Sequence, residues 1–282
     1  MLDKIKIAFI GPGVMAEAMI AGILREKLAS AHNLLTAGPR RERGEKLKSK
    51  YGIIPFTDNT TAARQADIIV LSVKPQRLNR VLEGMRGSVS PSALVLSIVA
   101  GAPITKISSM LGNQNVVRSM PNTPAQIGEG ITVWTASPTV SEEQRELARQ
   151  ILLALGQELY VDEESFLDKA TALSGTGPAY VYLFMEAMVD AGVHLGFPRR
   201  IAEQLVVQTV RGSVDYFEKR DDPVHLARLR NQVTSPGGTS AEALYYLEKA
   251  GFRTALSRSI WAAYERSMAL GEDAKSERPS DK

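Results

Sequence analysis

The run Ile5 to Ile10 (IKIAFI) stops at Gly11-Pro12-Gly13 and re-enters as a helix, with Met15, Ala18, Met19, Gly22 and Ile23 at i, i+3, i+4 spacing. A buried strand that turns on glycines straight into a helix opens a strand–helix–strand unit, and this commits the first half of the chain to an α/β architecture. The pattern then repeats. Asn33 to Ala37 reads as a second strand, followed by a basic helix from Arg41 to Tyr51, and Ile53 to Phe56 as a third. Asp67 to Val73 (DIIVLSV) carries the continuous apolar run of a parallel strand buried on both faces. Ala93 to Val99 and Val116 to Arg118 follow, and Gly130 to Thr135 and Glu158 to Val161 extend the sheet. Ser141 and Gln144 have capping-box spacing ahead of a helix ending near Leu155.

After about residue 163 the strand signals end. Helical segments replace them: Pro178 to Leu195, Pro198 to Glu218, Val224 to Gln232, Thr239 to Ala250 and Arg253 to Leu270. The expected organisation is an α/β domain over 1–163 with a parallel sheet, an all-helical domain over 164–272 and a flexible polar tail over 273–282. The 44% hydrophobic and 23% charged residues suit a globular chain of this kind. Cysteine is absent, which removes thiolate chemistry and cysteine-bound metals, and His32, His194 and His225 are too scattered for a local metal motif. A net charge of +3 with no concentrated basic run argues against nucleic acid as a partner. No apolar stretch reaches the roughly 18 residues of a membrane span, and no signal-peptide pattern precedes the first strand. The expectation is a cytoplasmic protein that binds no metal and no membrane.

The run Gly11-Pro12-Gly13-Val14-Met15-Ala16 stands where a dinucleotide fingerprint would stand. Gly11 permits the tight turn, Gly13 lets a pyrophosphate approach the backbone, and small Ala16 allows close helix–strand packing. The other reading is an ordinary glycine turn, against which the strand–turn–helix context weighs. An NAD site usually carries an acid at the end of the second strand, to hold the ribose 2′-OH. This chain has Gly38, then Arg40 and Arg41, in that region. Arginine forks pair a 2′-phosphate well, so NADPH is the expected cofactor, with NADH weaker. A solvated basic helix start is the competing account, and it suits Arg43 best.

Four further segments lie downstream in order: Ser72-Val73-Lys74-Pro75-Gln76, Ser119 to Pro124 (SMPNTP), Leu173 to Tyr180 (LSGTGPAY) and Val233 to Ser240 (VTSPGGTS). With the opening Phe9 to Ala16 they resemble the pyrroline-5-carboxylate reductase family, from residue 5 to about 270. The resemblance implies a Rossmann-type domain, an all-α dimerisation domain, a homodimer or larger homo-oligomer, and NADPH-dependent reduction of 1-pyrroline-5-carboxylate to proline. It further implies that Asn59, Val73-Lys74-Pro75, Val99-Ala100-Gly101 and Asn122 contact the cofactor. For Lys74 a solvent-facing strand end remains the alternative, and for Asn122 a turn-forming side chain.

On the substrate side the resemblance implies Ser235, Gly237, Gly238, Thr239 and Ser240, with the N–H groups of Gly238, Thr239 and Ser240 holding the substrate carboxylate and Ser240 as the catalytic hydroxyl. A helix N-terminus suits a carboxylate; the competing role for Thr239 or Ser240 is a simple N-cap. The family normally has threonine at position 240, so serine keeps the hydroxyl and loses the methyl that restricts its rotamer. Thr176 either lines the active site or belongs to a packing turn. Two other functions fit the same architecture: a non-catalytic NADP-binding regulatory relative, and another NADP-dependent imine or hydroxyacid oxidoreductase. A β-hydroxyacid dehydrogenase would carry a catalytic lysine early in the helical domain, whereas the segment from Pro178 to Leu195 contains none.

Overall fold

The computed structural model describes residues 4–220 and 222–276, without the side chains of 272–276. It divides into two compact units, 1–177 together with 262–282, and 178–261.

The first unit is built on an eight-stranded sheet in the order β3-β2-β1-β4-β5-β6-β7-β8. Its strands are β1 (Ile7–Ile10), β2 (Leu34–Ala37), β3 (Ile54–Phe56), β4 (Ile68–Leu71), β5 (Leu94–Ser97), β6 (Val116–Met120), β7 (Gly130–Ala136) and β8 (Gly156–Tyr160). β1, β2, β4 and β5 are buried along their whole length, as their apolar sequences require. Helices α1 (Val14–Arg25), α2 (Arg41–Tyr51), α3 (Asn59–Ala63), α4 (Pro75–Met85), α5 (Ile104–Leu111), α6 (Glu142–Leu153) and α7 (Phe166–Ala170) connect and follow them. Two clusters, one around Phe9, Met19 and Ile20 and the other around Ala8, Leu82 and Val95, form a core on each face of the sheet.

The sheet differs from the expected all-parallel arrangement at one place, where β7 runs antiparallel to β6. Only a short 3-10 turn, Thr123–Ile127, separates them. Without a crossover helix the chain can return only in the opposite direction. The capping box at Ser141 forms as expected, with Gln144 N–H donating to Ser141 Oγ and Ser141 N–H to Gln144 Oε1, both at 3.2 Å.

The second unit holds α8 (Gly177–His194, of which 177 belongs to the first unit), α9 (Arg199–Glu218), α10 (Leu226–Gln232), α11 (Thr239–Lys249) and the start of α12 (Phe252–Ser276). The division at 177 rather than 163 arises because α7 and the π-helical turn Thr171–Gly175 pack with the sheet. From residue 262 onward, α12 also belongs to the first unit. A Cβ on Gly271 would lie 2.8 Å from the Gly101 carbonyl oxygen, so only paired glycines allow this backbone contact. Residues 273–276, expected in a flexible tail, continue α12; 277–282 lie outside the described residues.

Arg118 fastens these parts of the first unit together. Its side chain on β6 is 4% exposed and donates to Glu164 Oε1 at 3.0 Å and Asp168 Oδ1 at 2.8 Å. Glu164 also accepts the Ile104 N–H, and Asp168 accepts the Ser267 hydroxyl of α12. Arg118→Ala would strand two part-buried carboxylates and should cost about 3 kcal/mol, the lower end for a broken buried pair. Arg199→Ala, which breaks an exposed pair with Asp190, should cost about 1 kcal/mol or less. Urea denaturation of both variants checks this, and equal losses would contradict it.

Candidate functional site

β1 and β4 adjoin where the strand order turns from 3-2-1 to 4-5-6, and an α/β sheet places its ligand crevice at that point, outside the carboxyl ends. Gly11 leaves β1 with φ +90°, and a Cβ there would stand 2.6 Å from Val73 Cγ1 and 3.1 Å from the Ser72 carbonyl oxygen. The Ser72 hydroxyl donates to the carbonyls of Ile10 at 3.0 Å and Gly11 at 2.9 Å. Gly38, after β2, is needed because a Cβ would press to 2.9 Å of Pro12 Cδ. The ends of β1, β2 and β4 are thus closed against one another.

Gly13 differs from these: the nearest atom to its added Cβ is 3.8 Å away, so the space beside it is open. It N-caps α1 with no side chain bonded to the cap, and Val14 beyond it is exposed. Ala16 is fully buried against the core, and Met15 packs at its margin. The N–H groups of Val14, Met15 and Ala16, without a partner among the described residues, and the open space at the head of α1 make an anion cradle that fits a dinucleotide pyrophosphate.

Arg40 and Arg41 are exposed, and neither guanidinium has a hydrogen-bond or ion-pair partner among the described residues. Arg43 behaves differently. Its guanidinium donates to Pro12 O at 2.8 Å, Gly13 O at 3.3 Å and Glu17 Oε2 at 2.6 Å. Glu17 also accepts from Lys50 Nζ at 2.8 Å and Tyr51 Oη at 3.0 Å. The Lys50 bond acts most strongly; burial, next in size, opposes it, and the bonds of Arg43 and Tyr51 add to the lowering, so the Glu17 carboxyl is held down from the ordinary 4.5 to about 2.

The other cofactor candidates also follow carboxyl ends of strands. Asn59 opens α3 after β3 and is half-buried. Lys74 is the exposed N-cap of α4, with Pro75 at its first position. Val99 is buried, Ala100 half-buried, and Gly101, with φ +65°, is covered by α12. Asn122 follows β6 at the head of the 3-10 turn, and its Oδ1 accepts the Ile131 N–H at 3.0 Å, so its side chain is engaged in the turn. The Thr176 hydroxyl donates to Thr171 O at 2.9 Å within the π-helical turn. Gly175 beside it leaves room for Met120, whose Cε would be 2.8 Å from a Cβ.

In the helical unit, Ser235 to Ser240 forms a turn at the head of α11. Gly237 has φ +72°, and Gly238 N–H donates to Ser235 O at 3.0 Å. Gly238 is the N-cap and no side chain bonds to the cap, so neither Thr239 nor Ser240 serves as one. The N–H groups of Thr239 and Ser240 remain unclaimed, and the half-buried Ser240 hydroxyl has no partner among the described residues. No group of three or more metal-ligating side chains occurs among the described residues.

Residues 164–270 match the family model for pyrroline-5-carboxylate reductase dimerisation, and 6–101 that for coenzyme F420-dependent NADP oxidoreductases. The chain is 39% identical to the pyrroline-5-carboxylate reductase of Synechocystis sp., over 95% of this chain and 99% of that one. The chain belongs to the pyrroline-5-carboxylate reductase family. It is also 39% identical to the Pseudomonas aeruginosa reductase, over 95% of this chain and 97% of the relative. The crystal structure of a Plasmodium falciparum pyrroline carboxylate reductase with NADP bound has a TM-score of 0.87 at 36% identity, covering 95% of this chain and 99% of that one.

Sequence reasoning set Arg43 aside and passed over Arg118, both structural anchors in this reductase-family fold. Arg118 did leave a signal, since an arginine inside the apolar strand Val116 to Met120 must find carboxylates. Arg43 left none, because its partners lie in the glycine loop and α1, far away in sequence. The Glu17 cluster also sets a pH dependence. A carboxyl lowered on folding stabilises the fold above its unfolded value near 4.5 and loses that contribution as pH falls towards about 2. Denaturation between pH 6 and about 2 should therefore show a steeper acid loss in the parent than in Glu17→Gln. Parallel curves would contradict the assignment.

Proposed function

We propose that this protein reduces 1-pyrroline-5-carboxylate to L-proline with NADPH, the last step of proline biosynthesis. The observation that carries the reading is near-full-length identity of 39% to a reductase of that name, with both helix heads left uncapped. The hydroxyacid dehydrogenase alternative is disfavoured: Lys169 lies in α7, and α8 contains no lysine. Consumption of NADPH that depends on added 1-pyrroline-5-carboxylate tests the function, and no consumption above background would refute it.

NADPH, when bound, supplies the hydride. The residues of the chain bind, orient and manage the proton. The loop Gly11 to Ala16 holds the pyrophosphate, with Gly38, Asn59, Val73 to Pro75, Val99 to Gly101 and Asn122 along the strand ends around it. The N–H groups of Thr239 and Ser240, in the turn made by Ser235, Gly237 and Gly238, hold the substrate carboxylate at the positive end of α11. The Ser240 hydroxyl hydrogen-bonds the imine nitrogen. A pyrroline imine is basic enough to arrive partly protonated, so orientation rather than a strong general acid is the main task. That agrees with a loop, Ser235 to Ser240, that has no histidine or carboxylate.

Among the described residues, no helix is long and apolar enough to cross a membrane, and we place the enzyme in the cytoplasm, where NADPH is available. It works as a homodimer or larger homo-oligomer. In α8 only Val189 is buried, while Val181, Leu183 and Phe184 are exposed. Trp261 is 62% exposed and lines an apolar groove of about 610 Å³ with Leu244, Phe252 and Leu256. Sedimentation at micromolar concentration should show a dimer or larger; an active monomer would contradict this.

Arg40 and Arg41, free and exposed, read the 2′-phosphate. Replacing both by alanine should weaken NADPH by about 1.5–3 kcal/mol and NADH little. Equal Michaelis constants for the two cofactors in the parent would contradict it. Ser240→Ala should lower turnover by about 2–4 kcal/mol of barrier and leave proline binding nearly unchanged, because the N–H donors remain. Ser240→Thr should keep or improve the rate, its β-branch restricting the rotamer. An alanine variant with parental turnover in steady-state kinetics would remove Ser240 from the mechanism.

A further inference from the structure

The glycine loop is held from behind by α2. Arg43 Nε reaches Pro12 O, and one terminal nitrogen reaches both Gly13 O and Glu17. A peptide group is planar, with its C=O and N–H on opposite sides. The Gly13 carbonyl also accepts the Glu17 N–H at 3.0 Å, the first bond of α1, so the helix and Arg43 together hold it and fix the Val14 N–H on the opposite side. Without Arg43 the Pro12 carbonyl oxygen would be free to turn toward an anion and repel it.

Glu17 poses a second problem. It is a carboxylate in the first turn of α1, at the helix end that would receive the pyrophosphate. Arg43, Lys50 and Tyr51 converge on its two oxygens and offset its charge. The arginine is itself spoken for, being half-buried with its Nε and one terminal nitrogen committed, in contrast to exposed Arg40 and Arg41.

We infer that Arg43, anchored by Glu17, is a positioning residue that keeps the Pro12 and Gly13 carbonyls turned away from the cofactor pyrophosphate and takes no part in reading the 2′-phosphate. The inference rests on the dinucleotide reading of the Gly11 to Ala16 loop. It separates two jobs among neighbouring arginines: Arg40 and Arg41 set which cofactor binds, whereas Arg43 sets how well either binds.

The test is calorimetric titration of the full chain with four probes: NADPH, NADH, ADP-ribose, which has the pyrophosphate without a 2′-phosphate, and 2′-AMP, which has the reverse. Arg43→Ala should weaken NADPH, NADH and ADP-ribose by a common factor of about tenfold and leave 2′-AMP within about twofold. Arg43→Lys should recover part of the loss, and Glu17→Gln should show a smaller loss of the same pattern. A loss several times larger for NADPH than for NADH would make Arg43 a 2′-phosphate contact and overturn the proposal. Unchanged affinities with a lowered melting temperature would overturn it as well. If Arg43→Ala does not fold, Arg43→Lys and Glu17→Gln carry the same comparison. A parent that binds none of the four probes would refute the dinucleotide reading itself.

Discussion

The close approach of the β1 and β4 chain ends at Gly11 sets the geometry on which the rest of the candidate site depends. No side chain fits at this position, where φ is +90° and Val73 stands 2.6 Å from an added Cβ. With the two ends in contact, the chain enters α1 at once, and the open side of Gly13 and the helix head face outward from the sheet edge. Ser72, Gly38 and Arg43 each brace the turn from a different element. Such a cradle is made of backbone, and its precision comes from what packs behind it.

One physical device appears in both units. α1 and α11 each begin at a glycine with no side-chain cap, although serine or threonine stands within two residues of the cap in α11. Relative to glycine, capping by a side chain would be worth only about a few tenths of a kcal/mol to each helix. Leaving it unmade keeps N–H groups available for anions, which in the proposed function are a pyrophosphate at one and a carboxylate at the other. Local stability is thus exchanged for binding, as functional sites commonly require.

Much of this was legible in the sequence because it is written locally. The alternation of short strands and helices located all eight strands to within a few residues, and the Ser141 capping box and glycine loop need only neighbours a few positions apart. The unread part is long-range. Arg43 meets Glu17 across 26 positions, Arg118 meets Asp168 across 50, and Ser267 meets Asp168 across 99. Gly271 stands beyond the last helical segment expected, just before the polar tail, yet it is a point at which α12 touches Gly101. The antiparallel β7 is invisible for a different reason, since side-chain periodicity carries no strand direction.

The account stands on hydride delivery to the carbon of a C=N bond. Its most direct test uses NADPH carrying deuterium at the transferable position of the nicotinamide, incubated with the protein and 1-pyrroline-5-carboxylate. The product should be proline with the deuterium on C5, the former imine carbon, as read by NMR. Oxidised cofactor without labelled proline, or proline carrying no deuterium, would contradict the account.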